Sequence, residues 1–286
     1  MAVSGRALVH RTLQTVAALV MDLFNGAFLR MAGQKGLPPL SLRRYIGPPD
    51  RFLTACEEHI AYFKLLGGLK MDDCVLDIGC GIGRFPARLV ANPHFFHGQY
   101  YGFDPDPRCI QWVNAHIAKP HPNVHFSLVD LHNDLYNPTG VLDPSTFKFP
   151  YAENLFDFAF AYSIFTHLLP PVTVNYLHEL ERVLKPGKKA LLTCILLDGY
   201  PESLREDIIR TRALTGVSPL KWYHHGDYSV LHPEEPEKVT AYQRRYFVEQ
   251  VRLAGLEVVQ TYRGCWNELE NYLSEQDIVL VAKATN

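Results

Sequence analysis

The fold of this chain is constrained most by nine residues, V-L-D-I-G-C-G-I-G at 75–83. The apolar and β-branched residues at 74–78 predict a short buried strand. Three glycines at alternate positions follow, and because glycine has no Cβ, the backbone there can turn sharply and approach a ligand closely. A helix is expected next, with its free N–H groups facing the same ligand. The stretch therefore predicts a strand-turn-helix unit of an α/β fold with a ligand at the turn.

Two common phosphate-binding motifs do not match this turn. The dinucleotide fingerprint G-x-G-x-x-G requires a glycine at 84 or 86, where the chain has Arg84 and Pro86. A P-loop requires Gly-Lys-Ser/Thr, which does not follow the glycines. Asp77 lies two residues before the first glycine, and its carboxylate favours a ligand that carries positive charge over a pyrophosphate.

The turn D-I-G-C-G-I-G resembles motif I of the class I S-adenosylmethionine-dependent methyltransferases. Further along, F-D-F-A-F-A-Y-S-I-F-T-H-L, then a helix, L-K-P-G and a strand, resembles the middle of the same family, and S-I-F-T-H-L resembles its bacterial small-molecule branch. The resemblance covers residues 50–286. It implies a doubly wound, Rossmann-like sheet of seven strands with the last antiparallel. It also implies S-adenosyl-L-methionine as cofactor, which has an ammonium, a sulfonium and an adenosine.

Successive predicted strands end in residues suited to this cofactor. A strand over 99–103 ends at Asp104, one β-α-β unit beyond the glycines, where such folds hydrogen-bond the two hydroxyls of a ribose. The resemblance implies that Asp130, after the third strand, accepts a hydrogen bond from the adenine amino group. The predicted cofactor site comprises the glycine turn, these acids and the turn after the fourth strand: Asp77, Gly79, Cys80, Gly81, Gly83, Asp104, Asp130, Tyr162 and Ser163.

Strand and helix patterns alternate along the remainder of the chain, which predicts one α/β domain at 50–286 with its ligand at the carboxyl ends of the strands. Residues 1–49 are predicted to be an N-terminal helical cap and linker, and residues 198–243 an insert between the fifth and sixth strands. Further strands are predicted at 124–128, 156–161, 190–197, 256–262 and 277–283, and helices at 50–66, 107–120, 172–184 and 244–254.

The N-terminal cap and the insert are expected to select the acceptor, because they lie outside the family pattern. Their aromatic side chains suit a small molecule that is ring-bearing or partly apolar, although an ordinary polar loop is the alternative. His224 and His225, followed by Asp227, have weak metal-ligand spacing, so no metal site is predicted. The candidate substrate contacts are Tyr45, Trp222, Tyr223, His224, His225 and Tyr228.

His167 is the candidate general base. It follows the fourth strand, near the expected position of the methyl group, and a neutral histidine can accept a proton near pH 7. A structural hydrogen bond is the alternative role. Since a sulfonium is already a good leaving group, the main task left to such an enzyme is to hold the nucleophile, methyl carbon and sulfur in line.

The charge distribution and the cysteine content limit which partners and which cellular compartment are expected. Residues 1–45 carry six basic side chains and one acid, a net charge of +5. This segment is expected to pack as a cap, with contact to an anionic membrane or a transit peptide as alternatives. The whole chain has a net charge of −2, which predicts no nucleic-acid partner. Its six cysteines show no C-x-x-C spacing, and no apolar run is long enough to span a bilayer, so a reducing, cytoplasmic location is expected.

Small-molecule methylation is therefore the leading hypothesis from the sequence. Three alternatives stay open: methylation of protein or RNA, a catalytically silent protein that binds the cofactor and acts through partners, and a nicotinamide dehydrogenase. The last is disfavoured by the glycine spacing. The acceptor atom and the oligomeric state are not specified by these patterns.

Overall fold

The computed structural model describes residues 22, 38–43, 51–91, 94–134, 136–197, 222–266 and 271–285. Most of the predicted N-terminal cap and the first half of the predicted insert, residues 198–221, lie outside this part of the chain. Within it, the short helix α1 (Leu40–Arg43) is held to Asp22, whose Oδ1 accepts a hydrogen bond from the Ser41 N–H at 2.9 Å.

The main sheet has seven strands, as the resemblance implied. Five of them precede the insert: β1 (Val75–Ile78), β2 (Tyr100–Asp104), β3 (Val124–Leu128), β4 (Phe156–Ala161) and β5 (Leu184–Cys194). Two follow it: β9 (Leu256–Tyr262) and β10 (Asp277–Lys283). The spatial order is β3-β2-β1-β4-β5-β10-β9. The first five strands pair in parallel, and β10 runs antiparallel to both β5 and β9, so the predicted Rossmann-like topology is confirmed.

Helices cover both faces of this sheet, which explains why β1 is buried at every position. One buried apolar cluster lies under α5 (Pro170–Val183) and α6 (Arg244–Leu253). The opposite cluster lies under α2 (Arg51–Leu65), α3 (Arg84–Leu89) and α4 (Pro107–Val113), which continues as a π-helical turn at Asn114–Ala118. None of the described helices is long and apolar enough to cross a membrane.

The boundary between α5 and β5 differs from the sequence prediction. The segment L-K-P-G does not form a separate turn, because β5 already begins at Leu184 and α5 ends one residue earlier.

Between β3 and β4 the described residues form no helix, as the proline- and asparagine-containing segment at 132–153 predicts. Isolated backbone bridges occur within this loop. This loop crosses the carboxyl edge of the sheet, where the ligand site was predicted.

The described part of the insert is ordered rather than an irregular polar loop. Its strands β6 (Tyr223–His224), β7 (Tyr228–Val230) and β8 (Thr240–Tyr242) form a small antiparallel sheet. Two backbone hydrogen bonds tie β8 to the end of β5: Leu197 N–H to Tyr242 O at 2.8 Å and Tyr242 N–H to Ile195 O at 2.9 Å. The Thr240 N–H also donates to Thr166 O at 2.7 Å, which fixes the insert to the turn after β4.

Candidate active site

A cavity of about 360 Å³ lies at the carboxyl ends of β1, β2 and β4. Its position matches the rule that open α/β sheets bind ligands where the strand order reverses, here beside β1. The cavity brings together most of the predicted site residues: Asp77, Gly79, Cys80, Gly81, Asp104, Tyr162, Ser163 and His167.

The glycine turn has the left-handed backbone that its sequence predicts. Gly79, Gly81 and Gly83 have φ angles of 72°, 50° and 71°. A Cβ at Gly79 would lie 2.1 Å from Cδ1 of Ile164, so this glycine allows β1 and the turn after β4 to meet at the cavity. A Cβ at Gly83 would instead lie 2.5 Å from Cδ1 of Ile117. Gly83 therefore serves the packing of the turn against the neighbouring helix and does not line the cavity.

Asp104 links the end of β2 to the glycine turn. Its Oδ2 accepts a hydrogen bond from the Gly81 N–H at 2.8 Å, and its Oδ1 accepts one from the Asp106 N–H at 2.9 Å. Burial raises the pKa of Asp104 to about 6, and the two hydrogen bonds oppose this effect without cancelling it. The carboxylate is thus held against the cavity wall by backbone donors and is ionised at neutral pH.

Asp77 lies deeper, beneath the turn. Its Oδ2 accepts a hydrogen bond from the Tyr100 hydroxyl at 2.6 Å. Burial raises the pKa of Asp77 to about 8, although this hydrogen bond favours the ionised form. A positively charged ligand at the turn would stabilise the ionised form further, which is the role that the sequence suggested for this acid.

The ionisable side chains on the cavity wall are mostly acidic. Arg84 is the basic residue among them, apart from two histidines. The acids are Asp77, Asp104, Asp106, Glu237 and Glu275. Such an excess of carboxyl groups favours a ligand with cationic groups.

A polar network that the sequence analysis missed holds the turn after β4. Ser163 has a φ of 58°, and its N–H donates to Oγ1 of Thr193 at 2.7 Å. Thr193 in turn donates to Oε1 of Gln276 at 2.7 Å, and Nε2 of Gln276 donates to the Ser163 hydroxyl at 2.8 Å. Gln276 also lines the cavity. These three residues lie on separate strands and turns, so no local sequence pattern predicts their contacts. The order of the strands in the sheet brings them together.

His167 lies on the cavity wall with a defined tautomer. Its Nδ1 is 3.0 Å from the backbone oxygen of Glu237, and since a carbonyl can only accept, Nδ1 carries the proton. Burial lowers the pKa of His167, and backbone hydrogen bonds with Glu237 and Lys238 oppose this effect, so the ring is neutral near pH 7. The ring thus makes the structural hydrogen bond that the sequence offered as its alternative role, and its role as a base stays a prediction.

The remaining predicted residues that the structure describes do not line this cavity. The Asp130 side chain is exposed, and its Oδ1 accepts a hydrogen bond from Asn137 Nδ2 at 3.1 Å. Trp222 is 6% exposed and packs edge-on against Trp266 at 6.3 Å. Tyr45 lies outside the described residues. The predicted insert contacts Tyr223, His224, His225 and Tyr228 lie on the small second sheet, away from the cavity wall.

The insert nevertheless contributes to the site through a residue that the sequence analysis did not select. Glu237 lines the cavity, and its Oε2 accepts a hydrogen bond from Asn133 Nδ2 at 2.9 Å. The two insert histidines that were predicted to contact the substrate make contacts within the insert. Nδ1 of His224 is 2.8 Å from the Ser229 hydroxyl, and the His225 ring stacks on the Tyr228 ring with centroids 5.0 Å apart. The described residues contain no group of three or more histidine, cysteine or acidic side chains placed to hold a metal ion.

His59 packs against the ring of Tyr162, which lines the cavity. His59 is 2% exposed, its Nδ1 donates to Ala55 O at 2.9 Å, and its Nε2 is 3.3 Å from the Ser274 hydroxyl. The two rings meet edge-on with centroids 4.4 Å apart. Because burial disfavours the charged imidazolium, the pKa of His59 is lowered to about 4.

This lowered pKa predicts a loss of stability in acid. A histidine with a folded pKa below its unfolded value of about 6.5 contributes stability that is full above pH 6.5 and is lost as the pH falls towards 4. We expect about 3 kcal/mol of the free energy of unfolding to disappear over this window. Urea titrations should show a smaller loss for His59→Gln, whose amide can still donate to Ala55 O. Parallel pH profiles for the two proteins would contradict this assignment.

Comparison with known proteins places this site in a family. A family model described as a methyltransferase domain matches residues 46–261, more than half of the chain. The chain belongs to this methyltransferase domain family. Among curated relatives, a sterol 24-C-methyltransferase of Kluyveromyces lactis is 26% identical over 155 residues, which is 54% of this chain and 37% of that protein. A tRNA U34 carboxymethyltransferase of Cellvibrio japonicus is 29% identical over 134 residues, covering 47% and 36% of the two chains. This chain therefore matches little more than a third of each relative's length.

Solved structures confirm the fold of the methyltransferase domain. The CcbJ methyltransferase from Streptomyces caelestis has a TM-score of 0.51 and 15% identity, covering 84% of this chain and 92% of its own. The [4+2]-cyclase SpnF has a TM-score of 0.51 and 16% identity, covering 80% and 81%. At this level of identity the likeness concerns the fold, and the chemistry has to be argued from the site.

Proposed function

We propose that this protein binds S-adenosyl-L-methionine and transfers its methyl group to a small-molecule acceptor by in-line displacement. The observation that carries the proposal is Asp104, an acid held by the glycine turn on the wall of an acidic cavity at the end of β2. The cavity wall fits this cofactor because its carboxyl groups suit an ammonium, a sulfonium and a ribose diol. The glycine turn adds a backbone that approaches without side chains.

Different residues of the chain would bind different parts of the cofactor. Asp104 is placed to accept hydrogen bonds from both ribose hydroxyls, while Gly79 and Gly81 allow the ligand to approach the turn. The network around Ser163 fixes the turn after β4, where the reacting end would lie. When bound, the cofactor supplies a methyl group on a sulfonium that is a good leaving group. The residues therefore contribute mainly orientation, which can supply roughly 7–11 kcal/mol at most.

We assign His167 the role of general base for an acceptor whose nucleophile must lose a proton. Its Nδ1–H is engaged with Glu237 O, so Nε2 is the atom that would have to accept the proton. His167→Ala is expected to lower the rate of methyl transfer by about 100-fold or more, the usual contribution of a positioned base, with little change in cofactor affinity. Transfer of labelled methyl groups into a metabolite extract measures this rate. Wild-type turnover in the variant would remove His167 from the mechanism.

Cofactor binding should strengthen as the pH rises from about 5 to 7. Burial raises the pKa of Asp104 to about 6, so below this pH the carboxyl is largely neutral and accepts hydrogen bonds less well. The cofactor's amino group, with a pKa of about 8, stays protonated throughout this window. Calorimetry at several pH values should give a profile that is flatter for Asp104→Asn. Equal slopes for the two proteins would argue against Asp104 as the titrating group.

The direct test of the proposed function is calorimetry with S-adenosylmethionine and, separately, with NAD. We expect heat with the former alone, because Arg84 and Pro86 replace the glycines of the dinucleotide fingerprint. Binding of NAD without binding of S-adenosylmethionine would overturn the proposal. A screen of metabolite extracts with a labelled methyl donor then identifies the acceptor from the product that carries the label.

Two alternative functions have specific support. Methylation of RNA or protein is suggested by the relative that acts on tRNA, and the +5 segment at 1–45 could bind an anionic partner or membrane locally. A function other than methyl transfer is suggested by the cyclase of similar fold. We favour the small molecule because the cavity wall is acidic and the net charge is −2. The label screen separates these cases, since a macromolecular acceptor would retain label after dialysis.

A further inference from the structure

The loop between β3 and β4 forms one wall of the cavity, where a helix would normally connect two parallel strands. Residues 131–142 fold back on themselves: Leu131 bridges to Leu142, and Asn133 and Asn137 exchange two backbone hydrogen bonds at 3.1 and 2.9 Å. Two further hydrogen bonds run from Asn137 Nδ2 to Asp130 Oδ1 and Leu131 O, both at 3.1 Å. We refer to residues 131–142 as the crossing loop.

Tyr136 is a crossing-loop residue that lies at the site. Its side chain lines the cavity, and its ring meets that of His167 edge-on at 6.2 Å, with an interplanar angle of 88°. On its other side it lies within the electrostatic influence of Asp104 and Asp106, whose charges add to burial in raising the pKa of Tyr136 to about 12. Tyr136 therefore lies on the cavity wall beside the turn after β4.

Tyr176 approaches the same place from α5. It is 5% exposed, lines the cavity, and packs edge-on against Phe149 with ring centroids 5.1 Å apart. The charge of Asp104 acts on Tyr176 as well, and together with burial it raises the pKa of the phenol. Two phenol rings on different elements thus share the cavity wall with the acid to which the proposed function assigns the ribose.

Neither phenol hydroxyl makes a hydrogen bond within the described part of the chain, and neither is among the fully buried polar atoms there. By contrast, Tyr100 donates to Asp77, and Tyr62 donates to Leu273 O at 2.6 Å. Because Tyr136 and Tyr176 both line the cavity, their accessible hydroxyls are available to bond a ligand there.

We propose that Tyr136 and Tyr176 bind the adenosine half of the cofactor, with their hydroxyls bonded to its ring nitrogens or ribose oxygens. This inference rests on the proposed function, and it gives these residues the task that the sequence assigned to Asp130. An aromatic ring suits this end of the cofactor because a purine offers a flat π-face for stacking as well as hydrogen-bonding atoms.

The position of Tyr136 depends on the insert through one side chain. Asn133 Oδ1 accepts a hydrogen bond from the Tyr136 N–H at 2.9 Å, while Asn133 Nδ2 donates to Glu237 Oε2 at 2.9 Å. Asn133 therefore ties the crossing loop to residues that follow it by about a hundred positions. We infer that Asn133, although it also lines the cavity, acts on cofactor binding mainly as a positioning residue for Tyr136.

The test measures the binding of S-adenosylmethionine and of 5′-methylthioadenosine, which lacks the amino-acid half, by calorimetry. Tyr136→Ala is expected to weaken both ligands by the same factor, about tenfold or more, since base–aromatic contacts and one hydrogen bond are lost. Tyr136→Phe and Tyr176→Phe keep the rings and should each cost about three- to tenfold. Tyr272→Phe is the matched control, because this tyrosine is 59% exposed and lies outside the cavity wall.

The outcomes separate this inference from the proposed function. Failure of the wild-type protein to bind S-adenosylmethionine would overturn the proposed function itself. If the wild-type protein binds, unchanged affinities in Tyr136→Ala and Tyr176→Phe would overturn the inference alone. A loss confined to S-adenosylmethionine would place the two rings at the amino-acid half and would also overturn it. In the double variant Asn133→Ala/Tyr136→Ala, the Asn133 change should add no further loss, whereas additive losses would contradict its positioning role.

Discussion

Replacing Asp104 with alanine is expected to weaken binding of S-adenosylmethionine by about 1–3 kcal/mol, a factor of about 5 to 150. The variant loses the carboxylate that would accept from the ribose hydroxyls, and it also leaves the Gly81 and Asp106 N–H groups without their acceptor. Calorimetric titration of the purified variant measures the effect. Affinity equal to that of the wild-type protein would remove Asp104 from the site.

Two further variants separate the binding role of Asp104 from its structural role. Asp104→Asn keeps an oxygen that can accept from one of the two N–H groups, so its thermal unfolding should stay closer to the wild type while its affinity still falls. Asp72→Ala is the matched control. Asp72 is exposed and does not line the cavity, so we expect the affinity of this variant to be unchanged.

Gly79→Ala is expected to lower both the stability of the protein and its affinity for the cofactor. The backbone at Gly79 has a φ of 72°, which costs a residue with a Cβ roughly 1–2 kcal/mol. The added methyl group would also lie 2.1 Å from Cδ1 of Ile164, and relief of this clash costs about 1–3 kcal/mol more. Since Ile164 lines the cavity, its displacement should reduce binding as well.

Gly68→Ala provides the control for this second prediction. Gly68 has a φ of 78°, yet a Cβ there would have no neighbour within 4 Å. It therefore shares the backbone strain of Gly79 without the clash. Urea unfolding should show a larger loss of free energy for Gly79→Ala than for Gly68→Ala, and only Gly79→Ala should bind the cofactor more weakly. Equal losses in the two variants would contradict the role given to Ile164.

Local patterns in the sequence were sufficient to predict most of the fold. The strands at 124–128, 156–161, 256–262 and 277–283 lie where the alternation of apolar residues placed them. The boundary between α5 and β5 was misplaced, because L-K-P-G looks like a terminator although its residues continue the strand. The absence of a helix between β3 and β4 agrees with the asparagine- and proline-containing segment at 132–153.

The cofactor side of the candidate site was more predictable than the acceptor side. Asp77, Asp104 and the glycines are close in sequence to strand ends, and the parallel topology brings such ends together. The contribution of the insert was harder to predict. Its aromatic residues were the predicted substrate contacts, whereas the described insert residue on the cavity wall is Glu237. Trp222 is instead used in a small apolar cluster with Trp266. Composition alone does not distinguish an aromatic residue that binds a ligand from one that packs a second sheet.

The sequence by itself determined the strand-turn-helix unit at 75–83, the acid one β-α-β unit later and the family, because these depend on short spacings along the chain. Only the tertiary structure decided which side chains share the cavity. Gln276 meets Ser163, Glu237 meets Asn133, and Tyr136 and Tyr176 share the cavity wall with Asp104. These pairs are far apart in sequence, and their contacts follow from the order of strands in the sheet and from the path of the crossing loop, which no local propensity encodes. The glycine turn therefore identifies the kind of ligand, while the contacts across the sheet determine how that ligand is held.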